Sequence, residues 1–182
     1  MTTPLRIGIA GLGTVGGGTL AILRTQANLL KQRTGRDIQI SAIAARDSHK
    51  PREHTQGLRW VETLSLATDP DIDVVVELIG GAEGIARQLV ETVVTANKAL
   101  IAHHGLALSA MAEKSGAVLA FEAAVAGGIP IIKTLRDGLC ANRFTRIAGI
   151  LNGTCNYILT HMWETRKPFD IVLKEAQALG YA

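Results

Sequence analysis

Residues 5–16 read Leu-Arg-Ile-Gly-Ile-Ala-Gly-Leu-Gly-Thr-Val-Gly, and the change of character at Gly11 decides the fold. Leu5 to Ala10 is an apolar run of strand length, and glycines 11, 13 and 16 follow it at once. From about Val15 to Gln32 the pattern is that of a helix, with Leu20, Leu23, Ala27 and Leu30 forming a stripe that reads as core. A strand, a Gly-x-Gly-x-x-Gly turn and a helix in this order make up the pyrophosphate-binding part of a dinucleotide fold. The first glycine permits the tight turn, the second lets the pyrophosphate approach the backbone, and the third lets helix and strand pack closely. The helix N-terminus then faces the anion. Gly11, Gly13, Thr14, Val15 and Gly16 are therefore candidate cofactor-binding residues.

Short apolar runs keep alternating with amphipathic stretches further along the chain, the pattern of repeated βα units. Gly35 separates the first helix from a second strand, Ile38 to Ala44. Asp73 to Ile79 reads as a strand covered on both faces, because its consecutive valines resist helix, and Gly80 and Gly81 end it. The pattern then predicts a helix from Glu83 to Ala96, a short strand around Leu100 and Ile101, a helix from Ser109 to Lys114, and a strand from Val118 to Phe121. Pro130 is placed to start a helix. Thr145 to Leu151 reads as one more strand, and Asn152 to Trp163 and Asp170 to Leu179 as helices outside the βα series. The expected fold is α/β. A Rossmann-type doubly wound parallel sheet over residues 1–135 is followed, over residues 136–182, by the beginning of an α+β substrate-binding and dimerisation domain.

The composition of the 182 residues, 47% apolar and 19% charged, suits a globular chain long enough to bury a core and excludes a disordered or collagen-like one. The net charge of +3 comes from scattered basic residues, which argues against a nucleic-acid-binding stripe. Cys140 and Cys155 have no C-x-x-C spacing and read as reduced thiols. The apolar start of the chain has no basic leader, and no uninterrupted apolar stretch approaches about 18 residues. A cytoplasmic protein that neither crosses nor binds a membrane is expected. His103 and His104 diverge as adjacent side chains and give no metal-ligand spacing with His161, so no zinc is expected. The run Lys50-Pro51-Arg52-Glu53-His54 reads as a solvated loop.

The end of the second strand separates NAD from NADP. An acidic residue there would bond the ribose 2′-hydroxyl, whereas an arginine would receive a 2′-phosphate. Arg46 stands beside Asp47 at this place, while Asp37 precedes the strand and belongs to its other end. The reading favours NADP held through Arg46, with NAD as the alternative.

The segments GLGTVGGG, VVVELIGG, TANKALIA, FEAAVAGGIPII, GILNGTCNYIL and AQALGYA, in that order and over nearly the whole chain, resemble the homoserine dehydrogenase family. The resemblance implies NAD(P)-dependent interconversion of L-homoserine and L-aspartate 4-semialdehyde, on the route to threonine, methionine and isoleucine. Lys98 of TANK becomes the candidate catalytic base and a cofactor contact. A lysine ordinarily titrates near 10.4, so any lysine base working near neutrality needs burial or a neighbouring cation. By resemblance, Gly80 and Gly81 underlie the nicotinamide ribose, and Gly153, Thr154 and Tyr181 border the amino-acid substrate. Helix capping by Asn152 or Thr154 is the alternative account of that segment. Glu122, with the carbonyls of Val125, Gly127 and Ile129, would hold Na⁺. Ala176, Gly180, Tyr181 and Ala182 match the opening of the family signature, whose acidic stretch and lysine come later. The 182 residues alone are thus expected to lack part of the active site, and the resemblance implies a homodimer at full length. Two other functions fit parts of the sequence. Cys155 at a helix start could be the nucleophile of a phosphorylating semialdehyde dehydrogenase, or the chain could sense a dinucleotide without catalysis.

Overall fold

The computed structural model describes residues 3–89 and 93–181, and the chain divides into two compact units, residues 1–138 and 139–182. In the first unit β1 (Leu5–Ala10) leads through the glycine turn into α1 (Thr14–Thr25) and α2 (Ala27–Thr34), then β2 (Ile38–Ala44). There follow α3 (Ser65–Thr68), β3 (Val74–Glu77), α4 (Ile85–Gln88), β4 (Val93–Thr95), α5 (Lys98–Ser115) and β5 (Leu119–Ala120). Short helices α6 (Glu122–Ala126) and α7 (Ile131–Lys133) run into a π-helical turn, Thr134–Gly138.

The strands pair in the order β2-β1-β3-β4-β5, and every pairing is parallel. The chain crosses from β2 over β1 to β3, so the order reverses between β1 and β3, the place where open α/β sheets leave a crevice at their carboxyl edge. Alternation along the strands divides the core between the two faces. Ile7, Ile9 and Ile43 cluster with Leu20 of α1, whereas Ala10, Ala42, Ala44 and Val75 cluster with Leu100, Leu108 and Ala112 of α5. Helices thus cover both faces, which is the doubly wound arrangement.

Arg6 ties the entry of β1 to that of β3. Its Nη2 and Nε donate to Asp73 at 2.8 and 3.3 Å, its backbone N–H donates to Asp73 Oδ2 at 2.8 Å, and its Nη1 reaches Asp71 at 3.0 Å. These bonds, the guanidinium first, hold the Asp73 carboxyl below its ordinary 3.8, at about 2. Because the folded value is the lower one, the stabilisation is complete above the unfolded value and is lost as pH falls from about 4 toward 2. Asp73→Asn is expected to flatten the urea midpoint across that window and to leave its slope at higher pH unchanged. A variant with the wild-type acid limb would show that other carboxylates govern it.

Several elements differ from the sequence reading. The first helix is broken at Gln26, where Thr25 Oγ1 bonds back to the Ala21 carbonyl at 2.8 Å, a contact that bends helices. Of the helix expected from 83 to 96, residues 90–92 lie outside the described residues, α4 forms one part, and Val93–Thr95 is a strand instead, since its β-branched residues suit the sheet between β3 and β5. Leu100 and Ile101 belong to α5 and not to a strand. Asn97 caps that helix by accepting the Leu100 N–H at 3.1 Å, and α5 runs through the expected 109–114 helix to the left-handed Gly116.

In the second unit α8 (Gly153–Thr165) and α9 (Phe169–Ala178) pack through Ile158, Val172 and Ala176. Residues 145–151 form no strand, because the described residues of this unit contain no other strand to pair with, and Ile150 and Leu151 lie exposed. Glu175 of α9 receives Lys167 Nζ at 2.6 Å and His161 Nε2 at 3.1 Å, and the lysine contact in particular holds its carboxyl below the usual range. Among the described residues no helix is long and apolar enough to cross a membrane.

Candidate functional site

A cleft of about 820 Å³ opens at the carboxyl edge of β1, β2 and β3, bordered by Gly11, Gly13, Arg46, Arg52, Leu78 and Ile79. The three glycines have separate roles there. Gly11 sits at φ +95°, and a Cβ on it would come within 2.6 Å of the Leu78 carbonyl. A Cβ at Gly16 would lie 1.9 Å from the Gly11 carbonyl oxygen, so only glycine lets α1 approach the turn this closely. A Cβ at Gly13 would meet no protein atom within 4 Å. Gly13 thus faces the open cleft. Gly13 is also the N-cap of α1, which has neither a capping side chain nor an acidic residue in its first turn, so the amides around Thr14 and Val15 remain available to an anion.

Arg46 is exposed on the cleft wall, and no carboxylate among the described residues pairs with it. Asp47 instead turns Oδ1 to the N–H groups of His49 and Lys50, at 2.9 and 3.2 Å, which fixes its own loop. The run from Lys50 to His54 is more than a solvated loop. Arg52 donates from Nε to the Leu12 carbonyl at 3.2 Å and from Nη1 to the Asp47 and Lys50 carbonyls at 2.7 and 2.9 Å, and its guanidinium lies 5.8 Å from the centre of the Trp60 ring. This side chain fastens the loop carrying Arg46 to the glycine turn. A charge run in sequence carries no sign of which member folds inward, although the arginine fork and a nearby tryptophan were the available clues.

Gly80 and Gly81, at φ +83° and +87°, are joined to the start of α5 by buried polar groups. Glu77 is fully buried and accepts the Ile79 N–H at 2.7 Å and the Thr95 hydroxyl at 2.6 Å. Thr95 Oγ1 in turn accepts the Asn97 N–H at 2.9 Å, and Asn97 Nδ2 donates to the Gly81 carbonyl at 2.7 Å. Lys98, exposed, is the first residue of α5. Periodicity could not reveal this network, because Glu77 reads as a lone acid at the end of a valine strand.

Glu122 accepts the N–H groups of Ile132 and Lys133 at 2.8 and 2.7 Å, one on each oxygen, which caps α7. Each oxygen keeps a second lone pair, and the Ile129 carbonyl accepts the Ile131 N–H at 2.9 Å. No group of three or more His, Cys, Asp or Glu residues suited to a metal occurs among the described residues. In the second unit Asn152 Oδ1 accepts the Cys155 N–H at 2.8 Å and so caps α8, while Thr154 donates its hydroxyl to the Tyr181 carbonyl. Thr154 and Tyr181 therefore meet in space, and Gly153 precedes Thr154 as the first residue of α8. Cys155 is exposed, and the histidine of its helix, His161, is bonded to Glu175 and stacked on Tyr157 at 5.5 Å.

A parallel sheet whose order reverses at this cleft, with an uncapped helix start and a glycine that leaves room beside it, defines a dinucleotide-binding α/β protein. Residues 11–122 match the model of the homoserine dehydrogenase NAD-binding domain, and residues 130–182 match that of homoserine dehydrogenase. The homoserine dehydrogenases of Neisseria gonorrhoeae and Pseudomonas aeruginosa are each 50% identical to the chain over 98% of it. The crystal structure of a homoserine dehydrogenase from Thiobacillus denitrificans superposes with a TM-score of 0.85 at 49% identity, over 99% of this chain and 43% of that one. A hyperthermophilic archaeal homoserine dehydrogenase mutant in complex with NADPH superposes with a TM-score of 0.79 at 25% identity, over 98% of this chain and 62% of that one. The chain belongs to the homoserine dehydrogenase family. It spans 43% of the length of the Neisseria and Pseudomonas relatives.

Proposed function

We propose that the chain carries the cofactor site and the base of an enzyme that interconverts L-homoserine and L-aspartate 4-semialdehyde with NADP, in the cytoplasmic synthesis of threonine, methionine and isoleucine. The observation that carries this reading is the Gly13 space beside an uncapped helix start in a chain of this family. The bound nicotinamide supplies the hydride acceptor for the alcohol carbon. Gly11, Gly13 and the first amides of α1 hold the pyrophosphate, and Gly80 and Gly81 form the floor under the nicotinamide ribose. Lys98 Nζ takes the proton of the homoserine hydroxyl as the alcohol is oxidised and returns it in the reverse direction. Gly153, Thr154 and Tyr181 border the amino-acid part of the substrate. Glu122 and the Val125, Gly127 and Ile129 carbonyls hold Na⁺, and the working protein is a homodimer. Cys155 as a nucleophile has less support, since its amide serves the Asn152 cap and His161 is engaged elsewhere.

NADP is favoured over NAD by the unpaired Arg46 on the cleft wall and the commitment of Asp47 Oδ1 to its own loop. The NADPH held by the archaeal relative accords with this. Arg46→Ala is expected to weaken NADPH by about tenfold to a hundredfold, the worth of one charge-assisted bond to a phosphate, and NADH by less than about threefold. Fluorescence titration with both cofactors checks it. Equal weakening of the two would remove Arg46 from recognition of the 2′-phosphate.

A further inference from the structure

We propose that Glu77 and Thr95 are positioning residues, a buried relay that sets the distance between the glycine floor of the nicotinamide site and Lys98. This rests on the reading of Lys98 as the base. Glu77 follows three valines in β3 and is fully buried, at a place where a fourth apolar residue would satisfy packing. A carboxyl kept there must be held by donors, and each of its oxygens takes one from a different segment. Oε1 holds the Ile79 N–H on the way into the Gly80-Gly81 turn. Oε2 holds Thr95, which lies opposite Glu77 in the β3–β4 register.

The relay closes into a ring. Thr95 Oγ1 receives the Asn97 N–H, and the Asn97 side chain bonds the Gly81 carbonyl with its Nδ2 and the Leu100 N–H with its Oδ1. Two successive glycines with positive φ form a loose turn on their own, and a helix start is free to slide against a sheet edge unless it is tied. Here Glu77 and Asn97 fix both to one another. Lys98 is the next residue after Asn97, so its backbone inherits that fixed position.

Hydrogen-bond direction makes the proposal testable. The Thr95 hydroxyl spends its only proton on Glu77 and accepts from Asn97, a polarity that requires an acceptor at both Glu77 oxygens. Glu77→Gln has the same shape but presents NH₂ either to Thr95, which reverses that bond and leaves the hydroxyl proton without its acceptor, or to the Ile79 N–H, which loses its acceptor. Thr95→Val removes the hydroxyl at constant volume, whereas Thr95→Ser retains it.

In the protein at its natural length, Thr95→Val and Glu77→Gln are expected to lower kcat for homoserine oxidation by about tenfold to a hundredfold, with KM for NADP⁺ changed less than about threefold. Thr95→Ser is expected within about threefold of wild type, since it keeps the donor. Circular dichroism at the assay temperature confirms folding. Should Glu77→Gln or Thr95→Val not fold, Asn97→Asp, which keeps the Leu100 cap but sets a carboxylate oxygen against the Gly81 carbonyl in place of the amide donor, replaces it with the same expectation. Lys98→Ala is assayed alongside. If it abolishes turnover while the folded relay variants retain wild-type kcat, the relay is idle and the proposal fails. Loss confined to KM, or equal damage from Ser and Val at position 95, would reduce the network to a packing role and also overturn it. If Lys98→Ala itself keeps full kcat, the base is wrongly assigned, and the relay falls with it.

Discussion

Lys98→Ala, in the protein at its natural length, is expected to lower kcat for homoserine oxidation by at least about a hundredfold, the usual worth of a positioned general base. Affinity for NADPH is expected to stay within about threefold, because the pyrophosphate and adenosine contacts lie elsewhere. Lys98 opens α5 one residue beyond the Asn97 cap, is exposed, and has no carboxylate partner among the described residues. Its side chain contributes to none of the hydrophobic clusters, so truncation leaves the core intact. Steady-state kinetics and a cofactor titration separate the two effects. An unaltered kcat would remove Lys98 from proton transfer, and a collapse of cofactor affinity with kcat preserved would make it a binding residue only.

Alanine at Gly16 and alanine at Gly13 are expected to fail in opposite ways. At Gly16 the new Cβ would stand 1.9 Å from the Gly11 oxygen, and both atoms belong to a turn fixed by the Gly11 N–H bond to the Ala44 carbonyl at 2.8 Å. Backbone must move. The cost is about 3 kcal/mol or more, the upper range for forced overpacking, and NADPH binding is lost with the turn. At Gly13, with φ −77° and ψ −158°, alanine is sterically allowed and meets no protein atom. Stability should therefore hold or rise by about 0.5 kcal/mol through a less flexible unfolded chain. NADPH affinity should nevertheless fall by at least about tenfold, because the methyl group fills the space through which a pyrophosphate reaches the amides. Urea denaturation and NADPH titration of both variants check the pair. A Gly13→Ala protein that binds NADPH as wild type does would mean that the space serves no ligand.

The strand, glycine turn and first helix that border the cleft were legible because their determinants are local. The glycines, the strand before them and the helix after them occupy one continuous stretch, and at Gly11 and Gly16 only glycine fits. The place of Arg46 on the cleft wall was legible from the end of β2. What escaped depends on partners distant in sequence. Val93–Thr95 was read through as helix, although its β-branched residues suit a strand, because the stretch is short and flanked by helical patterns. The Asn97 cap was missed, and with it the true start of α5 was displaced into an imagined strand at Leu100. Glu77 and Thr95 lie 18 residues apart and are joined only by the parallel pairing of β3 with β4, which no periodicity announces. Arg52 reaches the Leu12 carbonyl 40 residues away, by a fold of its loop that composition alone presents as a solvated charge run.

The cleft at the carboxyl edge of β1 and β3 is the proposed seat of the cofactor. Calorimetric titration of the folded wild-type chain with NADPH tests it most directly. Saturable binding at one site per chain, weaker in Gly13→Ala, is the expected result, whereas a folded chain that takes up NADPH at no saturable site would contradict the account.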